Sequence, residues 1–261
     1  MTDSVLHQVD GAVATITINR PAARNALTIE TKIALLDALR EASADAAVRA
    51  VIVTGAGQAF CSGQDLREHA ELLAAGAKPL ETVRLHYNPI VQTVADMPKP
   101  VIAALPGVAA GAGASLAFAC DFRIAAARAS LLLAFARVGL GADSGASWTL
   151  PRLVGSAKAT ELLMLAEPID SATALRLGLV TAVVPDEELA AAAAAFATQL
   201  AAGPTLAYAA IKDCLHYAST HGLGDSLDKE AALQTILGDT EDHRTATQAF
   251  VNRQTPVFQG R

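Results

Sequence analysis

The sequence lacks most signatures of metal, disulfide and membrane chemistry. Its three cysteines, Cys61, Cys120 and Cys214, are odd in number and far apart, with no CxxC pair. That argues against a disulfide framework and against a cysteine zinc site. The six histidines (His7, His69, His86, His216, His221 and His243) form no HxxxH or related spacing, so no metal site is expected. No run of ~18 strongly apolar residues occurs, and no membrane span is expected. The start, Met1-Thr2-Asp3-Ser4, lacks the basic beginning and apolar core of a signal peptide, so the expected location is the cytoplasm. A net charge of −6 leaves no broad electrostatic footprint for nucleic acid. A local patch for an anionic ligand could still be assembled from Arg24, Arg67, Lys99 and Arg123.

What is abundant is alanine. The 261 residues are 52% hydrophobic, and much of the excess is alanine, with Ala190 to Ala195 as the extreme, which suits closely packed helices. The length fits one large domain, or one with a small appendage. Val13 to Asn19 alternates, with Ala14, Ile16 and Ile18 on one face, and reads as a half-buried strand. Thr28 to Ser43 carries Ile29, Ile33, Leu36 and Leu39 at helical spacing behind a Thr28 cap. Arg49 to Thr54 and Pro100 to Leu105 read as buried strands, each feeding a glycine-marked loop. Gly111 opens an apolar helix through Ala119. Phe122 to Ala125 and Leu131 to Phe135 are further strands. Helices are expected over 145–154, 156–165 and 171–177, then a strand at Val180 to Val184. Helices at 186–202, 204–218, 225–238 and 240–252 complete the chain. Residues 70 to 82, with Gly76 and Pro79, read as a mobile loop. Strands mixed with helices come first and helices dominate later, so the class is α/β.

The two glycine loops, Gly55 to Gln64 and Gly107 to Gly113, are where chemistry is expected. Glycine permits the backbone angles that aim N–H groups into a cavity. Neither loop is a phosphate fingerprint: the first lacks the Lys-Ser/Thr of a P-loop, and Leu116 stands where GxGxxG needs its last glycine. The second opens a helix, so its amides lie at the positive end of a dipole. Such a pair can stabilise an oxyanion, although glycine turns in α/β proteins are more often only turns.

Four segments in order resemble the enoyl-CoA hydratase/isomerase (crotonase) superfamily. They are Gly57-Gln58-Ala59-Phe60-Cys61-Ser62-Gly63-Gln64-Asp65-Leu66, Lys99-Pro100-Val101-Ile102-Ala103-Ala104, Gly107-Val108-Ala109-Ala110-Gly111-Ala112-Gly113 and Leu150-Pro151-Arg152-Leu153-Val154-Gly155. The likeness runs from Asn19-Arg20-Pro21 to the Phe250 and Phe258 segments. It implies a crotonase (ClpP-like) spiral of ββα units over 1–195 and a C-terminal helical trimerisation region over 196–261. The implied assembly is a homotrimer or a dimer of trimers. It further implies an acyl-CoA substrate, no tightly bound cofactor, and an oxyanion hole made by the backbone amides of Gln64 and Ala112. Arg24, Ala26, Asp65, Leu66 and Arg67 fall where the family borders coenzyme A and the thioester. Asp65 is also suited to capping the helix that follows, and a solvated surface charge is an equal reading of Arg67.

The resemblance also shows a departure. Hydratases of the superfamily use two glutamates to position water and deliver a proton. Ser115 stands at the first of those positions and Phe135 at the second. Asp143, within Gly139-Leu140-Gly141-Ala142-Asp143-Ser144-Gly145, offers a single replacement. The pattern is most similar to 1,2-epoxyphenylacetyl-CoA isomerase-like members, through Gly63-Gln64-Asp65-Leu66, Tyr87-Asn88-Pro89 and Ala109-Ala110-Gly111-Ala112-Gly113. It implies an isomerase with Asp143 as acid and base, in an acyl pocket lined by Phe135, Leu140 and Trp148. A helix cap is the plain alternative for Asp143, and core packing for Trp148. The other readings are a hydratase or dehalogenase recruiting a partner such as His86, or a non-catalytic acyl-CoA- or RNA-binding protein of the same fold. His86 beside Tyr87 more simply has a surface or packing role.

Overall fold

A computed structural model describes residues 3–261. The chain opens with β1 (Val5–Asp10) and β2 (Val13–Ile18), an antiparallel pair in register from Val5 opposite Ile18 to Asp10 opposite Val13. Ala14, Ile16 and Ile18 are fully buried, as a strand with one face on a core requires. Helix α1 (Ile29–Ala44) begins at Thr28, whose hydroxyl accepts the Thr31 N–H. The buried stripe of α1 is Thr31, Lys32, Leu35, Ala38, Leu39 and Ala42. Of the expected stripe, Leu39 lies on this face, Ile29 and Leu36 are only partly buried, and Ile33 is half exposed. A lysine on the inner face hides the true phase from a purely apolar pattern.

Three strand pairs then repeat one plan. They are β3 (Ala50–Gly55) with β4 (Ala59–Cys61), β5 (Val101–Leu105) with β6 (Val108–Ala110), and β7 (Phe122–Ala126) with β8 (Ser130–Leu132). Helices α2 (Leu66–Ala74) and α3 (Asn88–Asp96) follow the first pair, α4 (Ala112–Ala119) the second, and α5 (Ala146–Val154) and α6 (Ser156–Leu165) the third. The short β9 (Ile169–Asp170), α7 (Ser171–Arg176) and β10 (Ala182–Val184) lead into α8 (Leu189–Ala201), α9 (Thr205–Ala218), α10 (Leu223–Gly238) and α11 (Glu241–Val251). The first strand of each pair joins a six-stranded sheet, β1-β2-β3-β5-β7-β10, and the second joins a four-stranded sheet, β4-β6-β8-β9. Pairing is parallel except for β1 with β2 and β8 with β9. Strand β5 is buried along its whole length, which is why it reads as a continuous apolar run.

Alternate residues of the large sheet serve two cores. Val51, Val53, Val101 and Ala103 face the main core, which also holds Leu35, Phe60, Leu116 and Leu150. Ala50, Ile52, Ile102, Ala104, Ile124 and Ala126 face α8 through Ala193, Ala197 and Ala201. Helix α8 thus belongs to the sheet, and a division between 195 and 196 would cut through it.

Other expectations are corrected. The strand at 131–135 stops at Leu132, and Ala134–Val138 forms a 3₁₀ turn ended by Gly139 in the left-handed region. The proposed mobile loop begins inside α2, and Pro79–Glu81 is a 3₁₀ turn followed by a π-helical turn at Val83–Tyr87. Lys99 and Arg123 are buried, not part of an anion patch. Lys99 donates to the carbonyls of Ala42 and Asp45 at 2.7 and 2.6 Å, and Arg123 to those of Leu179 and Cys120 at 2.8 and 2.6 Å. Among the described residues, no single helix is long and apolar enough to cross a membrane.

Helix α4 lies directly on β4. A Cβ at Gly113 would fall on the Cys61 carbonyl oxygen and 2.8 Å from the Cys61 Cβ. Alanine normally favours a helix over glycine by about 1 kcal/mol, but here the backbone leaves no room. Gly113→Ala is expected to destabilise by about 1–3 kcal/mol, the usual cost of overpacking, measured by denaturant unfolding.

Candidate active site

Because β4 and β6 are parallel neighbours, the loops that follow them leave the small sheet at the same end. Each runs into a helix N-terminus, α2 after the first and α4 after the second. Gly63 and Gly111 turn the chain there with φ of 88° and 51°. A Cβ at Gly63 would sit 2.8 Å from the Ala110 oxygen and 3.4 Å from the Ala112 nitrogen. The missing side chain is what lets the two loops touch.

Hydrogen bonding fixes which way the amides point. Leu27 N–H donates to Gly63 O at 2.8 Å, and Asp65 N–H donates to Leu27 O at 3.1 Å. Groups alternate along an extended chain, so the intervening Gln64 N–H faces away from Leu27. Ala112 is the first residue of α4, where opening amides have no partner one turn back. Both residues line a cavity of about 370 Å³. Two backbone amides on one cavity, one of them at a helix N-terminus, can hold a developing oxyanion. Larger hollows of about 510 and 480 Å³ lie among α9, α10 and α11 and neighbouring segments, but neither is lined by the two glycine loops.

Phe135, Val138, Leu140 and Asp143 also line this cavity. Asp143 is the one carboxyl among the lining residues. Burial pushes its pKa above the ordinary carboxylate value, and a 2.8 Å hydrogen bond from the Ser144 hydroxyl partly offsets this. The cap alternative fails: Gly145 precedes α5, no side chain caps it, and Asp143 contributes only its carbonyl to Ala146 N–H. Ser144 holds the turn with φ of 52°, a left-handed angle unusual outside glycine. Ser115 is fully buried and does not line the cavity; its hydroxyl donates to the carbonyls of Gly111 and Asp143, both at 3.3 Å.

The remaining expected site residues divide. Leu66 lines the cavity although much of it is exposed. Ala26 is buried, and its carbonyl accepts from Arg20. Arg24 is exposed and holds the first loop through its carbonyl, which accepts the Ser62 N–H at 3.1 Å. Arg67 is exposed in the first turn of α2. Asp65 is a structural residue in this chain: its carboxylate caps α2 through the Arg67 and Glu68 amides and takes a 2.9 Å ion pair from Arg20. Burial pushes its pKa up, but those bonds outweigh it and hold the carboxyl below its usual range. Trp148 is not on the cavity; it stacks edge-on to His216 and under the Arg152 guanidinium, 4.0 Å from the ring centre.

Several residues went unseen in the sequence. His69, not His86, lines the cavity, and its Nδ1 is buried without a partner. His86 Nδ1 instead pairs with the Thr82 hydroxyl at 3.0 Å. Behind the first loop, fully buried Lys32 donates to Gln64 Oε1 at 3.0 Å and to Thr82 Oγ1 at 2.6 Å. Tyr87 O–H donates to the same Gln64 oxygen at 2.8 Å. A lysine on the apolar stripe of a helix was the available signal.

Comparison with known proteins shows the family. Residues 8–261 match the family described as Enoyl-CoA hydratase/isomerase. A Rhodobacter capsulatus relative named "probable enoyl-CoA hydratase" is 42% identical, covering 99% of this chain and 98% of its own. The 1,2-epoxyphenylacetyl-CoA isomerase of Escherichia coli is 38% identical over 100% of both. A solved enoyl-CoA hydratase/isomerase structure from Mycobacterium abscessus superposes with a TM-score of 0.94 at 44% identity, covering 98% of this chain and 100% of that one. The chain has the crotonase fold and belongs to the enoyl-CoA hydratase/isomerase family.

Proposed function

We propose that the chain is an acyl-CoA isomerase that moves a double bond, or rearranges a ring, through a thioester enolate. The observation that carries this reading is the single carboxyl, Asp143, on the cavity that Gln64 and Ala112 also line, with Ser115 and Phe135 standing where the family resemblance places the hydratase glutamates. The thioester oxygen accepts from the two amides, which raises the acidity of the adjacent C–H. Asp143 takes that proton, and the negative charge moves onto the oxygen. The protonated carboxyl then returns the proton further along the conjugated system, so one group serves both steps and no water is consumed. Each part is worth a great deal: about 10²- to 10³-fold for an oxyanion donor and about 10²- to 10⁴-fold for a positioned acid–base group. Arg24 and Arg67, exposed beside the first loop, suit the phosphates of coenzyme A.

The second reading, hydration, is favoured by one observation, the His69 ring on the cavity wall. A panel of unsaturated and aromatic acyl-CoAs separates the two by product mass, which isomerisation leaves unchanged and hydration raises by one water. Assembly with further copies of the chain fits the exposed Ile211, Leu215, Phe250 and Val251 of the C-terminal helices. Sedimentation is expected to give a trimer or a dimer of trimers, and a stable monomer would contradict this.

Asp143→Asn is expected to lower kcat by about 10²- to 10⁴-fold; wild-type turnover would remove Asp143 from the mechanism. The base must be ionised, so kcat should rise with pH through a limb lying above the ordinary carboxylate value. Ser144→Ala deletes the bond that favours the charged form and should move that limb to higher pH. An unmoved limb would show that the titrating group is not Asp143.

A further inference from the structure

Lys32 is a costly residue to place where it lies. It is fully buried in α1, and burying an ammonium costs several kcal/mol unless its hydrogen bonds are met. An apolar side chain would pack the same stripe without that cost, so core stability does not explain a lysine here.

Its contacts suggest another reason. The ammonium joins three segments far apart in the chain: α1, the first glycine loop at Gln64 Oε1, and Thr82 at the start of the π-helical turn. It also lies 4.8 Å from the centre of the Tyr87 ring, whose hydroxyl donates to the same Gln64 oxygen. Gln64 is thus held by its side chain from one side and through the bridge of its neighbours to Leu27 from another. Its N–H points away from Leu27, in a residue that lines the cavity.

We propose that Lys32 is a positioning residue, which with Tyr87 clamps the Gln64 side chain so that the Gln64 amide is fixed where a thioester oxyanion forms. This rests on the reading of that amide as an oxyanion donor. Preorganisation of the donor is what gives such a site its power, since a dipole already in place needs no reorganisation during reaction. The buried positive charge adds a favourable potential on the same side. Glu68 and Asp65 face the ammonium from the α2 segment, and His86 and Tyr87 from the π-helical turn.

Burial lowers the Lys32 pKa to about 8, against the opposing pull of Glu68 and Asp65. The sign of two pH effects then differs. The folded state binds this proton less tightly than the unfolded state, so the contribution of Lys32 to stability rises with pH between about 8 and the ordinary lysine value of 10.5. The charge of the folded protein is lost around pH 8, so the clamp weakens and kcat falls there, below most of the window in which stability rises. A purely structural lysine would give the first effect without the second.

The test uses Lys32→Met in the full chain, with two readouts. Amide hydrogen exchange over residues 62–66 of the free protein is expected to quicken. On the acyl-CoA that the wild type turns over, kcat should fall by about 10- to 100-fold, in line with misplacement of a catalytic group, with KM changed less than about threefold. The fall of wild-type kcat centred near pH 8 should be absent from the variant. Unchanged exchange in a folded Lys32→Met protein would overturn the clamp. Faster exchange with unchanged kcat would overturn the donor role of the Gln64 amide, independently of what Asp143→Asn shows. Should the methionine variant fail to fold, Tyr87→Phe removes one bond to the same oxygen and leaves the core filled. It is expected to shift exchange and kcat in the same directions by less, and no shift in either would overturn the proposal.

Discussion

Everything in the site depends on how closely two backbones approach at the end of β4 and β6. Parallel pairing brings the two loops to one edge, but only the missing side chains at Gly63 and Gly113 let them close. At Gly113 the obstacle would be the Cys61 carbonyl itself, and at Gly63 the Ala110 carbonyl and Ala112 amide. Ala112, one position earlier at the opening of the helix, carries a methyl group where Gly113 has room for none. The contrast between positions 112 and 113 is steric, and it is set by which side of α4 lies on the strand.

The second constraint is electrostatic. A carboxyl in an apolar wall is pushed toward its neutral form, yet a base must be charged. Ser144 supplies the counterweight, in a left-handed turn that carries its hydroxyl to Asp143 Oδ1. The result is a carboxyl whose two protonation states lie closer in energy than in water. In the proposed isomerase, proton removal and return both need that balance. Phe135 and Leu140 line the same cavity and give it apolar surface beside Asp143.

Much of this was legible before any coordinates. The period-two pattern of Val13–Ile18, the apolar runs of β3 and β5, and the glycines at 63, 111 and 113 each report a local backbone requirement. Residues that act through distant partners were not legible. Lys32 meets Gln64 and Thr82, which are 32 and 50 positions away, and its charge hid the phase of α1. His86 drew notice because it adjoins Tyr87-Asn88, whereas the cavity is reached by His69 from α2. Strand β1 has little buried surface, so its pattern is weak. The threefold strand-pair plan left no detectable repeat because strands of three residues carry too few positions to resemble one another.

The alanines of α8 have a consequence for the far end of the chain. Ala193, Ala197 and Ala201 lie four apart on the face against the large sheet, and small side chains there act as a spacer gauge. The chain leaves α8 for α9 through a bend of 98°, and Arg49 beside the sheet grips Gly203, Thr205 and the Phe258 carbonyl. The C-terminal helices therefore inherit their height above the sheet from three methyl groups. A change in the thickness of that layer would be passed on to the outer surface of the molecule.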